Sequence, residues 1–259
     1  MRTPERWSVA IRRGDGEIAV ESHAVQERWA TLRETFARGL GALAEAMSIG
    51  LEALRISVRE TSGVMPTAGQ MRSTMAAVVA GMLALFVVAP ALFVAALPDP
   101  TADAAEAALR AAVLLVYLFV VSRSEAAKRL FVYHGAEHKV IAAFEQHGTL
   151  PTIDQARSAS PIHFRCGTSF IVLFVLVGGV VHAFVPRTPV VAGIGWRLAL
   201  APVDAMLAYE IMRATARNER SMVARVISAP GRLLQRWTTR EPADDELRVA
   251  IAAFGALWA

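Results

Sequence analysis

One short segment of the chain gathers residue types that bind metal ions. His134 and His138 are four positions apart, so on a helix both imidazoles project from the same face. Glu137 directly precedes His138. Together they form the inverted His-x-x-Glu-His pattern, in which two histidines bind zinc and a carboxylate lies near the ion. The spacing therefore predicts a metal site on a helix, with Glu137 as the candidate catalytic base.

Two further candidate ligands follow some two dozen residues later. His163 and Cys166 are three positions apart, and Cys166 is the only cysteine in the sequence. Zinc favours imidazole and thiolate ligands in a tetrahedral arrangement. We therefore predict a divalent metal ion, zinc by preference, bound by His134, His138, His163 and Cys166. Glu145 is an alternative ligand or a residue that orients one.

The number of ligands decides what such a site would do. If all four residues bind, the site is closed and structural. If only three bind, water takes the fourth place, its pKa falls towards about 7, and Glu137 becomes the base for hydrolysis near a membrane surface. A third reading needs no metal: His134 and His138 bind carbonyl groups or lipid phosphates, and Cys166 is a small core residue. The residues alone leave all three open.

The elements that must position these residues belong to a membrane protein. The chain has 259 residues, 54% of them hydrophobic, and a mean hydropathy of +0.40. This composition is too apolar for a soluble domain of that length. The first 25 residues contain no apolar stretch of the kind found in signal peptides. A single cysteine excludes an intramolecular disulfide bond.

Four apolar segments are predicted to cross the membrane as helices. They comprise residues 75–97, 107–121, 169–185 and 190–209. Pro90 predicts a kink in the first of them. The fold class is therefore mainly α: a polytopic helical membrane protein with about four transmembrane helices.

The two ends of the chain are predicted to lie outside the bilayer. Alternating apolar residues on either side of 14–16 predict an N-terminal β-hairpin. Apolar residues that recur every three or four positions predict amphipathic helices over 26–60 and 244–258, with a chain break at Pro230 before the second. The predicted organisation is a hairpin with an amphipathic helix (1–71), spans 1 and 2 (72–121), the His/Cys/Glu segment (122–168), spans 3 and 4 (169–209) and an amphipathic tail (210–259).

The distribution of Lys and Arg predicts the orientation in the membrane. Residues 1–72 hold ten of the 27 basic residues, 122–168 hold six and 210–259 hold eight. The intervening loop 98–106 has none and the turn 186–189 has one. The positive-inside rule therefore places both termini and the His/Cys/Glu segment in the cytoplasm. This topology accounts for the net charge of +4, so we expect the lipid bilayer, and no nucleic acid, as a partner.

Three motifs in order resemble those of the YqhQ-like membrane proteins, a family of unknown function often described as predicted metal-dependent enzymes. They are HGAEHK at 134–139, RCGTSF at 165–170 and LQRWTTREP at 234–242. The resemblance covers nearly the whole chain and implies a bacterial multi-pass protein of the inner (cytoplasmic) membrane. Family members usually carry a glycine-containing segment before the position of Met1, which we expect this chain to lack. Phe164 stands where a proline is common.

Charged residues inside the predicted spans support a rival hypothesis. Arg110, Arg197 and Asp204 lie at membrane depth, where charges are costly and face partners or water. Arg197 and Asp204 are about 10 Å apart along a helix, too far to pair with each other. Each is expected to need a partner on a neighbouring helix, on another subunit or in a water-filled lumen, whereas Glu106 and Arg110 are spaced to pair. We therefore expect a homo-oligomer.

Three functions remain compatible with the sequence. The first is a metal-dependent hydrolase that acts at the membrane surface on a small-molecule or lipid substrate. The second is a homo-oligomeric pore or channel in which the His/Cys/Glu segment is structural. The third is a scaffold that recruits a cytoplasmic partner through the helix predicted over 26–60.

Overall fold

A computed structural model of the chain describes residues 1–26, 32, 35–94, 101–185 and 189–258, with the backbone alone at 101–103 and 190. The strands are β1 (Arg6–Arg12) and β2 (Ile18–Ala24). The helices are α1 (Arg38–Ser62), α2 (Ala68–Leu83), a π-helical turn (Ala84–Val88), α3 (Ala89–Val94), α4 (Thr101–Val121), α5 (Glu125–His147), α6 (Ile153–Ser158), α7 (Gly167–His182), α8 (Val190–Arg217), α9 (Met222–Thr238) and α10 (Asp244–Gly255).

The predicted N-terminal hairpin is confirmed. β1 and β2 pair antiparallel, with Arg6 opposite Ala24 and Arg12 opposite Ile18. Alternation along β1 puts Trp7 and Ile11 on one face, where both are buried in a small core with Ile56 of α1. The hairpin is therefore packed against α1 rather than projecting from the protein.

The helix predicted over 26–60 is observed from Arg38 to Ser62; residues 27–31, 33 and 34 lie outside the described part of the chain. It ends where expected, because Gly63 adopts the left-handed conformation with φ of 71°. Gly39 packs against α8, where an added Cβ would lie 2.8 Å from Tyr209 Cβ. Much of the apolar stripe of α1 remains exposed, including Leu43, Met47 and Leu54.

Three helices are long and apolar enough to cross a membrane: Ala68–Val94, Ala104–Val121 and Val191–Arg217. In the first, a π-helical turn ends two residues before Pro90, whose ring offers no N–H to a regular α-helical ladder. The remaining predicted span, 169–185, corresponds to the apolar but shorter helix α7. Its 16 residues reach about 24 Å, against roughly 30 Å of hydrocarbon.

The elements outside these helices form a second compact layer at the end where α4 ends and α7 begins. Helix α10 packs on α5 through a core that contains Ala136, Val140, Leu247 and Phe254. The acidic start of α10 suits a helix N-terminus, and Glu246 accepts a hydrogen bond from the backbone N–H of residue 243 at 2.9 Å. This layer carries the His/Cys/Glu segment.

Helix α9 connects this layer to the apolar helices, and it is continuous through Pro230, contrary to the predicted break. Pro230 is exposed, so its ring meets solvent or lipid rather than a neighbouring helix. The buried face of α9 lies on α7, where Gly231 faces Ser169. Its outer face exposes a run of apolar side chains: Met222, Val223, Val226, Leu233 and Trp237.

The contact between α9 and α7 yields a test of the packing. An added Cβ at Gly231 would lie 2.7 Å from Ser169 Cα, so Gly231→Ala should lower the free energy of unfolding by about 1–3 kcal/mol. Gly50 in α1 is a matched control with nothing within 4 Å of its added Cβ. Gly50→Ala should be neutral or stabilise by up to about 1 kcal/mol. Thermal unfolding in mild detergent measures both; equal effects would contradict the packing described here.

Candidate metal centre

Helix α5 presents the two histidines from one face. The helix begins at Ser124, whose hydroxyl accepts a hydrogen bond from the N–H of Ala127, and ends at Gly148 with φ of 71°. The centroids of the His134 and His138 rings are 4.4 Å apart. The four-residue spacing therefore brings the two imidazoles together as predicted.

Backbone carbonyl groups fix the orientation of both rings. His134 Nδ1 lies 2.7 Å from the carbonyl oxygen of Thr238, and His138 Nδ1 lies 2.6 Å from that of Pro161. A carbonyl oxygen only accepts, so Nδ1 must carry the proton in each ring. In the neutral rings this leaves both Nε2 atoms with free lone pairs, which is the arrangement found in metal-binding histidines.

Cys166 completes the cluster from the start of α7. Its side chain is 4% exposed and accepts a hydrogen bond from the N–H of Thr168 at 3.4 Å. Its Sγ lies 3.4 Å from Nε2 of His134. One ligand atom from each of His134, His138 and Cys166 lies within 4.8 Å of the other two.

These distances fit a divalent ion with nitrogen and sulfur ligands. Zinc binds imidazole at about 2.0–2.1 Å and thiolate at about 2.3 Å, so ligand atoms of a tetrahedral site lie about 3.5 Å apart. The Sγ–Nε2 distance of 3.4 Å agrees with this value. The three residues are therefore able to hold a metal ion, with nitrogen and sulfur donors of the kind that zinc accepts.

The fourth predicted ligand lies beside the cluster and not within it. The His163 ring centroid is 5.9 Å from that of His138. Its Nδ1 accepts a hydrogen bond from the N–H of Arg165 at 3.2 Å, and its Nε2 lies 3.1 Å from Glu145. Both ring nitrogens of His163 are therefore engaged. Glu145 also contacts Arg165, at 3.3 Å, and thus ties together the loop before α7.

A cavity of about 1020 Å³ opens onto the cluster. Its wall includes all three cluster residues and Glu137, the predicted base. Glu137 is half-buried. In the described part of the chain its carboxylate forms no hydrogen bond or ion pair. The cavity thus brings a free carboxylate and the candidate metal ligands to one space that a small molecule can enter.

Two residues that the sequence reasoning did not single out hold the site together. An added Cβ at Gly135 would lie 2.0 Å from the carbonyl oxygen of Arg240, so only glycine allows this approach. Gln235 is fully buried and bonds both backbone groups of His163 at 2.8 Å. It also donates to the hydroxyl of Ser169 at 2.9 Å. Gly135 and Gln235 lie inside the motifs at 134–139 and 234–242. Their position in these motifs was the only sign in the sequence that they contribute to the site.

The electrostatics of the cluster favour a thiolate. Burial raises the pKa of Cys166, but hydrogen bonds from His134 and His138 outweigh burial and lower the pKa to about 5. Burial disfavours the charged form of His134, but the hydrogen bond to Cys166 and its negative charge outweigh this and raise the pKa of the ring. Each group thus stabilises the charged form of the other.

The membrane-depth charges predicted from the sequence lie in a separate network. Arg110 and Arg197 each donate to Glu106 Oε1 at 2.6 Å. Asp204, which is 2% exposed, lies 3.1 Å from His182 Nε2, and His182 Nδ1 lies 3.2 Å from Arg110. The partners of Arg197 and Asp204 are on neighbouring helices of the same chain, so neither charge requires a second subunit.

The fold and site define a class: a mainly helical protein with three helices able to cross a membrane and a His/His/Cys cluster able to hold a metal ion.

Comparison with known sequences places the chain more narrowly. The family described as "Protein of unknown function (DUF1385)" matches residues 35–259, and the chain belongs to this family. It is 33% identical over 246 residues to "Uncharacterized protein YqhQ" of Bacillus subtilis (strain 168), covering 86% of this chain and 76% of that protein. The predicted family resemblance is confirmed. No solved structure matches the chain.

The pairing of Cys166 with His134 yields a pH prediction for the metal-free protein. Because the pKa of about 5 lies below the ordinary value of 9.0, the thiolate stabilises the fold fully above pH of about 9, and this contribution is lost as the pH falls towards 5. The ultraviolet absorbance of the thiolate should therefore persist down to about pH 5. In His134→Gln the apparent pKa should rise, whereas His147→Gln, at the far exposed end of α5, should not change it. A thiolate signal that disappears near pH 9 in the unaltered protein would contradict the pairing.

Proposed function

We propose that this protein is a membrane-embedded metal-dependent hydrolase whose site lies at the cytoplasmic surface. His134, His138 and Cys166 hold the ion, which is zinc by the preference of its ligands. The observation that carries the proposal is the pair of hydrogen bonds from the two Nδ1 atoms to the carbonyl groups of Thr238 and Pro161. Histidines that only fill space in a core do not need both rings fixed towards one thiolate.

The ligand count supports a catalytic site over a closed structural one. His163 uses both ring nitrogens elsewhere, which leaves three protein ligands, as in catalytic zinc sites. All three line a cavity of about 1020 Å³. A bound divalent ion would supply a Lewis acid towards water or a substrate oxygen. Glu137, which also lines the cavity, would accept a proton from water during hydrolysis.

The topology that accompanies this proposal has four spans and cytoplasmic termini. In this topology α8 is the fourth span and the short helix α7 is the third. Helix α9 supports its placement, because its exposed apolar run is flanked by Arg225 and Arg236, as in helices that lie in the membrane interface. Trp237 of α9 packs edge-on against Phe119 near the end of α4, with ring centroids 6.2 Å apart. The metal cluster then lies just below the lipid headgroups.

The two rival readings carry less support. The pore hypothesis was motivated by charges that lacked partners. Within one chain, Arg110 and Arg197 donate to Glu106, and Asp204 lies 3.1 Å from His182 Nε2. The scaffold hypothesis is supported by the exposed apolar stripe of α1. A surface of this kind also suits lipid contact.

A second candidate function rests on the pairing of Cys166 with His134. A thiolate 3.4 Å from an imidazole is the arrangement of a cysteine nucleophile and its base. In that case the same cavity would serve a hydrolase that needs no metal ion. Metal content distinguishes the two candidates.

The metal proposal predicts the composition of the purified protein. Elemental analysis in mild detergent should find about one zinc ion per chain, because a single cluster supplies the ligands. His134→Ala and Cys166→Ala should each lose most of the metal, since two ligands hold zinc poorly. His163→Ala should retain it, as should the exposed control His147→Ala. Loss in His163→Ala would establish a four-ligand site, and absence of metal in the unaltered protein, even after supplementation, would favour the cysteine nucleophile.

The proposed base gives a separate prediction. Glu137→Gln should keep the metal but slow hydrolysis by about 10²–10⁴-fold, the usual contribution of a general base. A panel of p-nitrophenyl phosphates and carboxylic esters provides the assay, and zinc content is measured in the same samples. Glu145→Gln, which alters a neighbouring carboxylate tied to His163 and Arg165, is the control. Metal loss in Glu137→Gln would make this residue a ligand and overturn its role as the base.

A further inference from the structure

Two arginines of α8 share the cavity with the metal cluster. Arg213 and Arg217 are four positions apart on the last turns of α8, so their side chains leave the helix from one face. Both line the cavity, as does Tyr209 one turn earlier. The cavity is therefore lined both by the cluster and by two arginines.

These arginines differ from the other arginines of the cavity wall. Arg2 pairs with Glu45, and Arg165 pairs with Glu145. Arg213 and Arg217 form no ion pair or hydrogen bond in the described part of the chain, and the Nη1 of Arg213 is buried without an acceptor. A buried donor without an acceptor is costly unless a ligand supplies one.

The carboxylate of Glu210 attracts both arginines electrostatically, but in the described part of the chain it forms no hydrogen bond or ion pair with either of them. Glu210, one turn before Arg213, accepts hydrogen bonds from Arg38 on α1, from Nε at 2.5 Å and from Nη2. Two positive charges four positions apart on a helix also repel each other. An anion bound between Arg213 and Arg217 would remove this repulsion. The planar guanidinium group donates hydrogen bonds in a geometry that fits the oxygens of a phosphate group.

Part of the cavity wall is apolar. It is formed by Phe144, Phe254, Leu257 and Trp258 among others. Trp258 is 63% exposed, although its ring lies 5.8 Å from that of Phe144. An exposed aromatic residue beside a cavity offers a surface for the apolar part of a ligand. A fully hydrophilic anion would make no use of this wall.

We propose that the cavity binds an amphipathic phosphate-bearing molecule, with its phosphate held by Arg213 and Arg217 and its apolar part against Trp258. This inference rests on the proposed function, for which it names the substrate class. The phosphate group is the shared chemistry of a lipid headgroup and a free phosphate compound. The apolar wall assigns the ligand to the first of these sources.

The test measures binding of inorganic phosphate, and of phosphatidic acid in neutral detergent micelles, to the detergent-purified full chain. Phosphatidylcholine micelles control for the headgroup. Arg213→Gln and Arg217→Gln should each weaken phosphatidic acid binding about tenfold or more, since each removes a charge-assisted hydrogen bond. Arg220→Gln, an exposed arginine three residues beyond Arg217, should leave it unchanged. Trp258→Ala should weaken phosphatidic acid binding roughly threefold to tenfold and inorganic phosphate binding less than twofold.

The outcomes separate this inference from the metal proposal because zinc is quantified in every sample. Zinc in the unaltered protein without binding of phosphate or phosphatidic acid would overturn the inference and leave the metal site standing. Arginine-dependent binding in a protein free of zinc would support the inference and overturn the metal site. Equal binding of phosphatidylcholine, or unchanged binding in Arg213→Gln at an unchanged melting temperature, would overturn the phosphate site. Arginine-dependent binding of inorganic phosphate with no effect of Trp258→Ala would overturn the lipid assignment.

Discussion

The close approach of helix α5 to the peptide that follows α9 is the contact on which the whole site depends. Gly135 permits it, because any side chain there would collide with the carbonyl group of Arg240. The approach lets Phe131 accept a hydrogen bond from the N–H of Arg240 at 2.9 Å and brings the carbonyl of Thr238 to His134. The close contact between these two backbone segments thus orients the side chain of His134, the residue next to Gly135. The ring of His134 then has a single free nitrogen, and it faces Cys166.

The second histidine and the cysteine are held by a similar use of backbone atoms. The carbonyl of Pro161 orients His138, and the buried Gln235 fixes the same loop through both backbone groups of His163. Because Gln235 belongs to α9, this one helix positions both histidines and the start of α7. The cluster therefore couples the layer outside the apolar helices to α7, and a change at α9 reaches all three candidate ligands.

The charges predicted to lie at membrane depth show how the apolar helices are joined at their other end. Glu106 accepts from Arg110 and Arg197, and Asp204 lies against His182, so each charge lies near an opposite or polar group. Such pairs offset the cost of removing ions from water only when the geometry is good. They fix the arrangement of α4, α7 and α8 with respect to one another. The same pairs remove the reason to invoke a second subunit or a water-filled lumen for these residues.

The sequence by itself determined the helical class, the N-terminal hairpin, three apolar helices and the pairing of His134 with His138, because these features follow from local periodicity and spacing. The sequence also identified Cys166 as a candidate ligand, because its residue type is one that zinc favours. Only the tertiary structure decided that Cys166 meets the two histidines while His163 turns to Glu145, and that Arg213 and Arg217 face the same cavity. The roles of Gly135 and Gln235 were likewise beyond the sequence. Each depends on a contact between segments about 70 to 100 residues apart, and spacing along one helix carries no information about which carbonyl group will lie opposite it.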